Sequence, residues 1–329
     1  MSPPSALLEL PPVPAVRPPA LSHSVAALAA ELRGALSPES VLRESEPLGP
    51  KTTLRVGGPA DLYIEPASEE DLSVVRRECH ARGVPFFILG RGSNLLVRDG
   101  GIRGVVVRLS HRAFSRLEIA GTQVFAGAGV KLKDLANEAR RRGLAGFEFM
   151  QGIPGSVGGA LRMNAGAHGG WTFDAVRRVR VMDERGRIAE LPAADVPAHY
   201  RGCPLLRHNL ALAAIFEGQP DDEAAIRARM DAANARRWAS QPPQPSAGCI
   251  FKNPDVAPAG RLVDEAGLKG LRVGGAMVSD VHGNFIINTG GATARDVLEL
   301  IACVRERVRN FHGVELATEV EIVGEDLPA

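Results

Sequence analysis

The segment that most restricts how this chain can fold is residues 151–170, QGIPGSVGGALRMNAGAHGG, which has seven glycines in twenty positions. Glycine at this density leaves the backbone N–H groups unshielded, so that a ligand can approach the main chain closely. A cluster of N–H donors beside the start of a helix is a ready site for phosphate. The Lys-Ser or Lys-Thr pair that ends a P-loop is absent. The segment therefore predicts either a phosphate loop of another type or a set of tight turns.

A second glycine-rich loop favours the phosphate interpretation. Residues 89–94, LGRGSN, directly follow the apolar run from Pro85 to Leu89, which is typical of a buried strand. Two such loops predict a ligand with two phosphates. The stretch GAGVKL at 127–132 only approaches the dinucleotide-binding pattern, because Leu132 stands at the third glycine position. We therefore do not expect a Rossmann fold.

Composition and charge limit the classes of partner. The 329 residues leave room for two or three domains, and five lysines with 34 arginines are balanced by 38 acidic residues without a basic block. We therefore expect no nucleic-acid partner. The four cysteines lie far apart with no C-x-x-C pair, so we expect neither a disulfide scaffold nor a metal site. No apolar run reaches membrane-spanning length and the N-terminus lacks a signal pattern, so we expect no membrane partner and a cytoplasmic location.

The chain is expected to divide into four parts. A proline-rich, disordered lead-in and an amphipathic helix at 23–36 come first, and the folded body is expected to start near Pro50. Strands and helices then alternate in short groups, which predicts an α+β fold. The expected parts are residues 1–45, 46–112, 113–222 and 223–329.

Periodicity and capping signals place the elements. Helices are predicted at 68–83, 131–142, 222–238 and 294–311. Strands are predicted at 61–65, 86–89, 105–109, in a hairpin over 116–126, and at 177–182, 188–191, 212–216, 249–252, 284–288 and 319–323.

Three polar residues stand out against apolar or turn-like surroundings: Arg201, Cys249 and Glu319. Each has a structural alternative. Arg201 could be a surface cation in a loop, Cys249 a small buried residue, and Glu319 the solvent-facing member of an alternating strand. Periodicity does not show whether the three side chains converge.

Six motifs in order along the chain resemble one known family. They are LGRGSNLLVRDGG (89–101), GIPGSVGGA (152–160), NAGA (164–167), YRGC (200–203), PSAGCIFKNP (245–254) and TEVEIVG (318–324). Together they resemble the UDP-N-acetylenolpyruvoylglucosamine reductases (MurB) of peptidoglycan synthesis. The resemblance runs from about residue 45 to residue 324. Only 47 residues lie between Arg201 and Cys249, which resembles the shorter branch that lacks a substrate-covering loop.

The resemblance implies an α+β fold with a two-part FAD-binding domain of the vanillyl-alcohol-oxidase (PCMH) type and a C-terminal substrate-binding domain. It also implies noncovalent FAD, with the pyrophosphate held by the two glycine-rich loops. The residues expected to bind FAD are Gly90, Arg91, Gly92, Ser93, Asn94, Gly152, Ile153, Pro154, Gly155, Ser156, Gly158, Gly159, Asn164 and Ala165.

The activity implied by the resemblance is reduction of the enolpyruvyl group of UDP-N-acetylenolpyruvoylglucosamine to give UDP-N-acetylmuramate. NADPH reduces the flavin, leaves, and is replaced by the sugar nucleotide. Arg201 and Glu319 match the family residues that orient and polarise the substrate carboxylate, where negative charge develops. Cys249 stands where most relatives carry serine, and a thiol with an ordinary pKa of about 8.5 is a competent proton donor at neutral pH.

Further contacts follow from the same resemblance. Tyr200, Lys252 and Asn253 are expected to bind the substrate, and Arg236 or Arg237 is a candidate to replace a lysine found in some relatives. We expect a monomer. Two alternatives stay open: a flavin oxidase that tethers FAD to His80, His111 or His168, and a nucleotide-sugar binding module without catalysis.

Overall fold

The computed structural model describes residues 23–167 and 169–328. The expected proline-rich lead-in over residues 1–20 and the candidate His168 lie outside the described residues. The α-helices are α1 (His23–Ala35), α2 (Glu69–Ala81), α3 (Leu132–Arg141), α4 (Val157–Met163), α5 (Thr172–Ala175), α6 (Leu205–His208), α7 (Glu223–Ser240), α8 (Ala259–Glu265) and α9 (Ala294–His312).

The strands are short and belong to several separate sheets. They are β1 (Val41–Pro47), β2 (Pro59–Glu65), β3 (Phe86–Ile88), β4 (Leu95–Val97), β5 (Ile102–Val107), β6 (Leu117–Ala120), β7 (Gln123–Gly127), β8 (Leu144–Ala145), β9 (Gly166–Ala167), β10 (Gly170–Trp171), β11 (Val176–Met182), β12 (Ile188–Pro192), β13 (Leu210–Glu217), β14 (Gln219–Pro220), β15 (Ser246–Cys249), β16 (Arg272–Val273), β17 (Ala276–Val278), β18 (Phe285–Asn288) and β19 (Glu321–Val323).

The first sheet carries the first glycine-rich loop at the end of one of its strands. Its order is β1-β2-β5-β3, with β1 antiparallel to β2 and the other pairs parallel. Helix α2 connects β2 to β3; Ser68 caps its N-terminus by accepting a hydrogen bond from the Asp71 N–H. Since β3 ends at Ile88, residues 89–94 leave the carboxyl end of that parallel strand, where α/β sheets commonly bind ligands.

The expectation that the folded body starts near Pro50 is wrong. Helix α1 packs its apolar face, including Leu28 and Leu32, into one core with Leu62 of β2 and Leu72 of α2. Strand β1 then pairs with the whole length of β2, from Val41 opposite Glu65 onwards. An amphipathic helix must bury its apolar stripe somewhere, and the edge strand that follows α1 keeps it close to this sheet.

The second sheet is antiparallel, with the order β12-β11-β13-β7-β6. Its strands confirm the predicted hairpin and the three predicted strands between residues 177 and 216. Helices α3 and α4 pack with it in one hydrophobic cluster, to which α7 adds Ile226 and Met230. Although α7 falls in the expected 223–329 part, it therefore packs on the middle part of the chain.

The third sheet has the order β15-β18-β17-β16 and packs against α8 and α9. The strand predicted at 249–252 instead ends at Cys249. The register shifts between Ser246 and Cys249, and Gly248 has a φ of +76°, which marks a bulge. Past this bulge the chain leaves β18, and Phe251 bridges to Thr318 instead. Strands β16 and β17 and helix α8 were not predicted.

The end of the chain returns to the first half of the molecule. Strand β19 pairs in parallel with β4, and the Asp99 carboxylate accepts hydrogen bonds from the N–H groups of Ala294 (2.8 Å) and Arg295 (2.9 Å) at the start of α9. These contacts tie the C-terminal sheet to the loop region that follows β3. The division into parts at residues 45, 112 and 222 stays a proposal. None of the helices within the described residues is long and apolar enough to cross a membrane.

Because the apolar face of α1 is buried in the core, residues on this face should contribute to the stability of the protein. Leu28 has no exposed surface, so Leu28→Ala should lower the free energy of unfolding by about 2–5 kcal/mol, through lost apolar contact and a residual cavity. Urea denaturation followed by circular dichroism measures this change. Val256→Ala removes methyl groups from a side chain that is 71% exposed and should change stability by less than about 0.5 kcal/mol. A Leu28→Ala protein as stable as wild type would mean that α1 is not part of the core.

Candidate active site

A large cavity of about 1030 Å³ lies where the three sheets meet. Residues of both glycine-rich loops line it, together with Arg201, Cys249 and Glu319. The volume is at the upper end of the range for ligand sites, which suits a ligand as large as a dinucleotide. The candidate residues on its wall are Gly90, Arg91, Gly92, Ser93, Asn94, Gly152, Ile153, Pro154, Gly155, Ser156, Gly158, Gly159, Ala165, Arg201, Cys249 and Glu319.

The first loop depends on Gly92 for its shape. Gly92 has a φ of +62°, and a Cβ at this position would lie 2.7 Å from the Cα of Thr52. The loop is therefore pressed against residues 52 and 53, and the Thr53 N–H donates to the Gly92 carbonyl at 3.1 Å. Thr53 in turn donates its hydroxyl to the Ser246 carbonyl at 2.7 Å. The first loop is thus linked through Thr53 to the strand that carries Cys249.

The second loop leads into helix α4, which starts at Val157. A Cβ on Gly158 would lie 3.0 Å from the Ala128 Cβ, so glycine allows α4 to pack closely against residues that follow β7. In contrast, a Cβ on Gly90 or Gly159 would meet no protein atom closer than 3.6 Å. Both residues lie on the cavity wall, so a side chain at either position would extend into the cavity without clashing with protein atoms.

Asn164 does not line the cavity, although its neighbour Ala165 does, and its contact with FAD stays a prediction. It is buried with a left-handed φ of +41° at the end of α4. Its Nδ2 donates to the His199 carbonyl at 3.3 Å, and its Oδ1 accepts from the Phe173 N–H at 3.1 Å. Asn164 therefore connects α4 to the turn that carries Arg201.

Arg201 lies in a tight turn in which His199 and Gly202 exchange two backbone hydrogen bonds. It is one of the few described non-glycine residues in the left-handed region, with a φ of +57°. Its Nε donates to Glu319 Oε1 at 2.6 Å, and both side chains are largely buried, with exposed fractions of 23% and 13%. A charge-assisted hydrogen bond in such a setting is stronger than the same pair in water.

Glu319 and Cys249 are brought together by the backbone. The Glu319 N–H donates to the Ile250 carbonyl at 2.8 Å, so the residue after Cys249 lies directly beside Glu319. On the other side, Asn94 Nδ2 donates to the Glu319 carbonyl at 3.1 Å, and the Glu321 N–H donates to the Asn94 carbonyl. The C-terminal segment is therefore held between the first glycine-rich loop and the segment that carries Cys249.

The Cys249 thiol has an unusual electrostatic environment. Burial, reinforced by the negative charge of Glu319, raises its pKa to about 11, although Arg201 acts in the opposite direction. Desolvation disfavours the thiolate, and a nearby carboxylate disfavours it further. The thiol is therefore protonated throughout the neutral range and can donate a proton.

The charged side chains on the cavity wall are mostly basic. Seven are cationic and only two, Glu319 and Glu321, are anionic. Glu321 pairs with Arg162 at 2.8 Å. Such an excess of positive charge favours ligands with several phosphate or carboxylate groups. The cationic residues are Arg55, Arg91, Arg108, Lys131, Arg162, Arg201 and Arg237.

The three residues expected to bind substrate do not line this cavity. Tyr200 is 51% exposed and packs edge-on against Trp171. Lys252 and Asn253 are exposed on the segment after Cys249, and Asn253 Oδ1 accepts from the Ala259 N–H at the start of α8. Asn253 therefore caps a helix in this structure. Substrate contact by these three residues stays a prediction.

Of the two candidate arginines, Arg237 is half-buried on the cavity wall, where it donates to the Gly152 carbonyl and, through Nε, to Gln241 Oε1 at 3.0 Å. Arg236 is exposed and off the wall. Sequence reasoning missed Trp171, whose ring centroid lies 5.6 Å from the Arg201 Cζ. Tryptophan is rare here, with two in the chain, but spacing could not place it beside Arg201.

Comparison with known proteins decides the family. The family described as UDP-N-acetylenolpyruvoylglucosamine reductase, C-terminal domain, matches residues 241–323, and the FAD binding domain family matches residues 60–192. This chain belongs to the UDP-N-acetylenolpyruvoylglucosamine reductases. The reductase of that name from Heliobacterium modesticaldum is 46% identical over 86% of this chain and 90% of its own length. That from Geobacter metallireducens is 45% identical over 92% and 98%.

A solved structure agrees with these relatives. The crystal structure of UDP-N-acetylenolpyruvylglucosamine reductase (MurB) from Thermus caldophilus superposes with a TM-score of 0.75 at 38% identity. It covers 86% of this chain and 98% of its own chain. The expected family, the α+β fold with an FAD-binding part, and the flavin-dependent reductase class are confirmed.

The cavity wall fits the FAD that the matched domain implies, because its glycines leave space and its cations suit a diphosphate. Gly159→Val should therefore fill the space left for the cofactor without disturbing the fold. We expect the purified variant to keep its circular dichroism spectrum and to lose bound flavin absorbance near 450 nm. Gly34→Val is a matched control, because a Cβ on Gly34 meets no atom within 4 Å and Gly34 lies far from the cavity wall. Equal flavin content in the two variants would contradict this placement of FAD.

Proposed function

We propose that this chain is an NADPH-dependent UDP-N-acetylmuramate dehydrogenase in which Arg201, Glu319 and Cys249 are the catalytic residues. The observation that carries the proposal is their convergence on one wall of a cationic cavity bordered by two glycine-rich loops. The substrate would be UDP-N-acetylenolpyruvoylglucosamine, whose diphosphate and carboxylate match the excess of positive charge. Its reduction to UDP-N-acetylmuramate serves peptidoglycan synthesis.

FAD would be held noncovalently by the residues of the two loops that line the cavity. When bound and reduced by NADPH, it supplies the hydride for the enolpyruvyl double bond. The protein supplies orientation, stabilisation of charge and a proton. Loop residues 90–94 have a second task, because the Asn94 side chain also holds the backbone of Glu319.

Arg201 would bind the carboxylate of the enolpyruvyl group. Its Nε is engaged by Glu319, which leaves the two Nη groups to donate as a fork to a planar carboxylate. Hydride addition at one alkene carbon builds negative charge on the carbon beside that carboxylate. A fixed guanidinium lowers the energy of this charge most effectively in a site that excludes water. Glu319 then acts by fixing the direction of the guanidinium.

Cys249 would donate the proton that completes the reduction. Its raised pKa keeps the thiol protonated, and its place beside Glu319 and Arg201 puts it next to the carbon where negative charge develops. A proton donor must start in its protonated form, and a strongly raised pKa still permits transfer to a carbanion-like centre, which is far more basic.

Replacement of Cys249 distinguishes the reduction of the flavin by NADPH from its reoxidation by the sugar nucleotide. With Cys249→Ala, bleaching of the flavin by NADPH should stay at the wild-type rate. Recovery of flavin absorbance on addition of the sugar nucleotide should slow by several orders of magnitude, within the range known for loss of a general acid, about 10²–10⁴-fold. Stopped-flow absorbance measures both steps.

The pH dependence and a conservative variant complete this test. Because the pKa of Cys249 is raised to about 11, the recovery rate should not decline between pH 7 and pH 9 through loss of the thiol proton. An ordinary thiol would lose it near pH 8.5. Cys249→Ser should keep much of the rate. If Cys249→Ala slows neither step, Cys249 only packs; if wild-type flavin is not reoxidised by the substrate, the proposed function fails.

Arg237 is the better candidate of the two arginines for the substrate's diphosphate. Burial lowers the pKa of its guanidinium, but arginine remains charged at physiological pH. Its Nη1 donates to the Gly152 carbonyl and its Nε to Gln241, so the side chain is held on the wall. Arg236 is exposed and does not line the cavity.

The neighbouring arginines give a matched pair of variants. Arg237→Ala should raise the KM for the sugar nucleotide about tenfold, as expected for loss of a charged hydrogen bond, with little change in kcat. Arg236→Ala should leave both constants within about twofold. Steady-state NADPH oxidation measures them. Equal KM values for the two variants would exclude Arg237 from the substrate site.

We propose that the protein is a cytoplasmic monomer without nucleic-acid or membrane partners. All three catalytic side chains on the wall come from one chain, which supports function without a second subunit. The balance of 39 basic and 38 acidic residues supports the absence of a polyanionic macromolecular partner. Tyr200, Lys252 and Asn253 remain proposed substrate contacts at the edge of the site.

A further inference from the structure

Two aromatic rings that do not line the cavity contact the guanidinium of Arg201. Its Cζ lies 5.6 Å from the centroid of the Trp171 ring and 5.1 Å from that of Tyr200. The two rings also contact each other edge to face, with centroids 5.6 Å apart and an interplanar angle of 77°. Neither ring lines the cavity, whereas Arg201 does. The rings therefore support Arg201 from outside the cavity.

The Trp171 ring is itself held firmly in place. It lies against the backbone of Gly166, where an added Cβ would come within 2.3 Å of Trp171 Cε3. Gly166 and Trp171 pair across the hairpin of β9 and β10, and the Trp171 N–H donates to Asp174 Oδ2 at 2.8 Å. A ring fixed in this way offers a rigid face to a cation.

Arg201 needs such support more than an ordinary arginine. Its left-handed backbone is unfavourable for a residue with a Cβ, and a long side chain has many rotamers. Among the described residues, its hydrogen bond runs only from Nε to Glu319. One bond fixes the position of Nε but not the plane of the guanidinium. Contacts with two rings restrict that plane, so that both Nη groups stay free for a ligand.

We propose that Trp171 and Tyr200 are positioning residues, which hold the Arg201 guanidinium so that Nε stays on Glu319 and the Nη groups point at the substrate carboxylate. This inference rests on the proposed function for its kinetic consequence, but the support of Arg201 itself can be observed without turnover. It also gives Tyr200 a role through its ring, in addition to the substrate contact proposed above.

The kinetic test compares variants that keep an aromatic ring at Trp171 or Tyr200 with variants that remove it. Trp171→Leu should slow flavin reoxidation by the substrate about tenfold, the scale of a partly buried cation–π contact, and leave flavin reduction by NADPH unchanged. Trp171→Phe should stay within about threefold of wild type, because a ring face remains. Tyr200→Phe keeps the ring and should keep the reoxidation rate at saturating substrate, whereas Tyr200→Leu should resemble Trp171→Leu. Unchanged flavin content and thermal midpoint control for misfolding.

A double-mutant cycle shows whether Trp171 acts through Arg201. In an Arg201→Gln background, Trp171→Leu should cause no further loss of the reoxidation rate, because the cation it supports is gone. Additive losses, a Trp171→Leu protein as fast as wild type, or a Trp171→Phe protein as slow as Trp171→Leu would each overturn the proposal. A raised KM in Tyr200→Phe would assign the hydroxyl to the substrate.

Nuclear magnetic resonance tests the support independently of catalysis. The Arg201 Nε–H signal, assigned by its absence from Arg201→Gln, should be shifted by the ring currents of the two aromatic side chains and exchange slowly with water. In Trp171→Leu, the shift should shrink and exchange should accelerate. If the signal is unchanged, the support does not exist, even where the reaction proceeds. If the signal changes as expected but the substrate never reoxidises the flavin, the proposed function fails and the support stands.

Discussion

The backbone pairing of the C-terminal segment with two distant parts of the chain is the constraint on which the site depends. Hydrogen bonds from Glu319 to Ile250 and from Asn94 to Glu319 place one carboxylate between the loop expected to hold FAD and the segment that carries the thiol. The neighbouring strand β19 adds a parallel pair with β4. Because these contacts use the main-chain N–H and carbonyl of Glu319, its position does not rely on its flexible side chain alone.

Electrostatic interactions give Glu319, Arg201 and Cys249 different proposed roles. Burial raises the pKa of Cys249, and the Glu319 carboxylate, which orients Arg201, raises it further. One negative charge thereby directs a cation and reinforces the protonated form of the proposed proton donor. The aromatic rings that contact Arg201 complete the arrangement, since they also restrict the guanidinium.

Local signals predicted much of this structure. The hairpin of β6 and β7, strands β11 to β13, and helices α2, α7 and α9 all follow from periodicity and caps. The glycine density of both loops pointed to a phosphate-bearing ligand, and most loop residues do line the cavity. Resemblance, rather than spacing, connected Arg201, Cys249 and Glu319, because residues far apart in the sequence, such as Arg201 and Glu319, leave no periodic trace of their contact.

Local patterns also do not reveal contacts made after folding. The Asn164 side chain bonds to His199 and Phe173 within the protein, and the bulge at Gly248 ended a predicted strand early. The order of the chain also has a temporal consequence. A ribosome makes both glycine-rich loops, Arg201 and Cys249 before Glu319, so the carboxylate that orients Arg201 is the last of these groups to join the site. Premature termination just before that residue would remove both this carboxylate and strand β19, which pairs with β4.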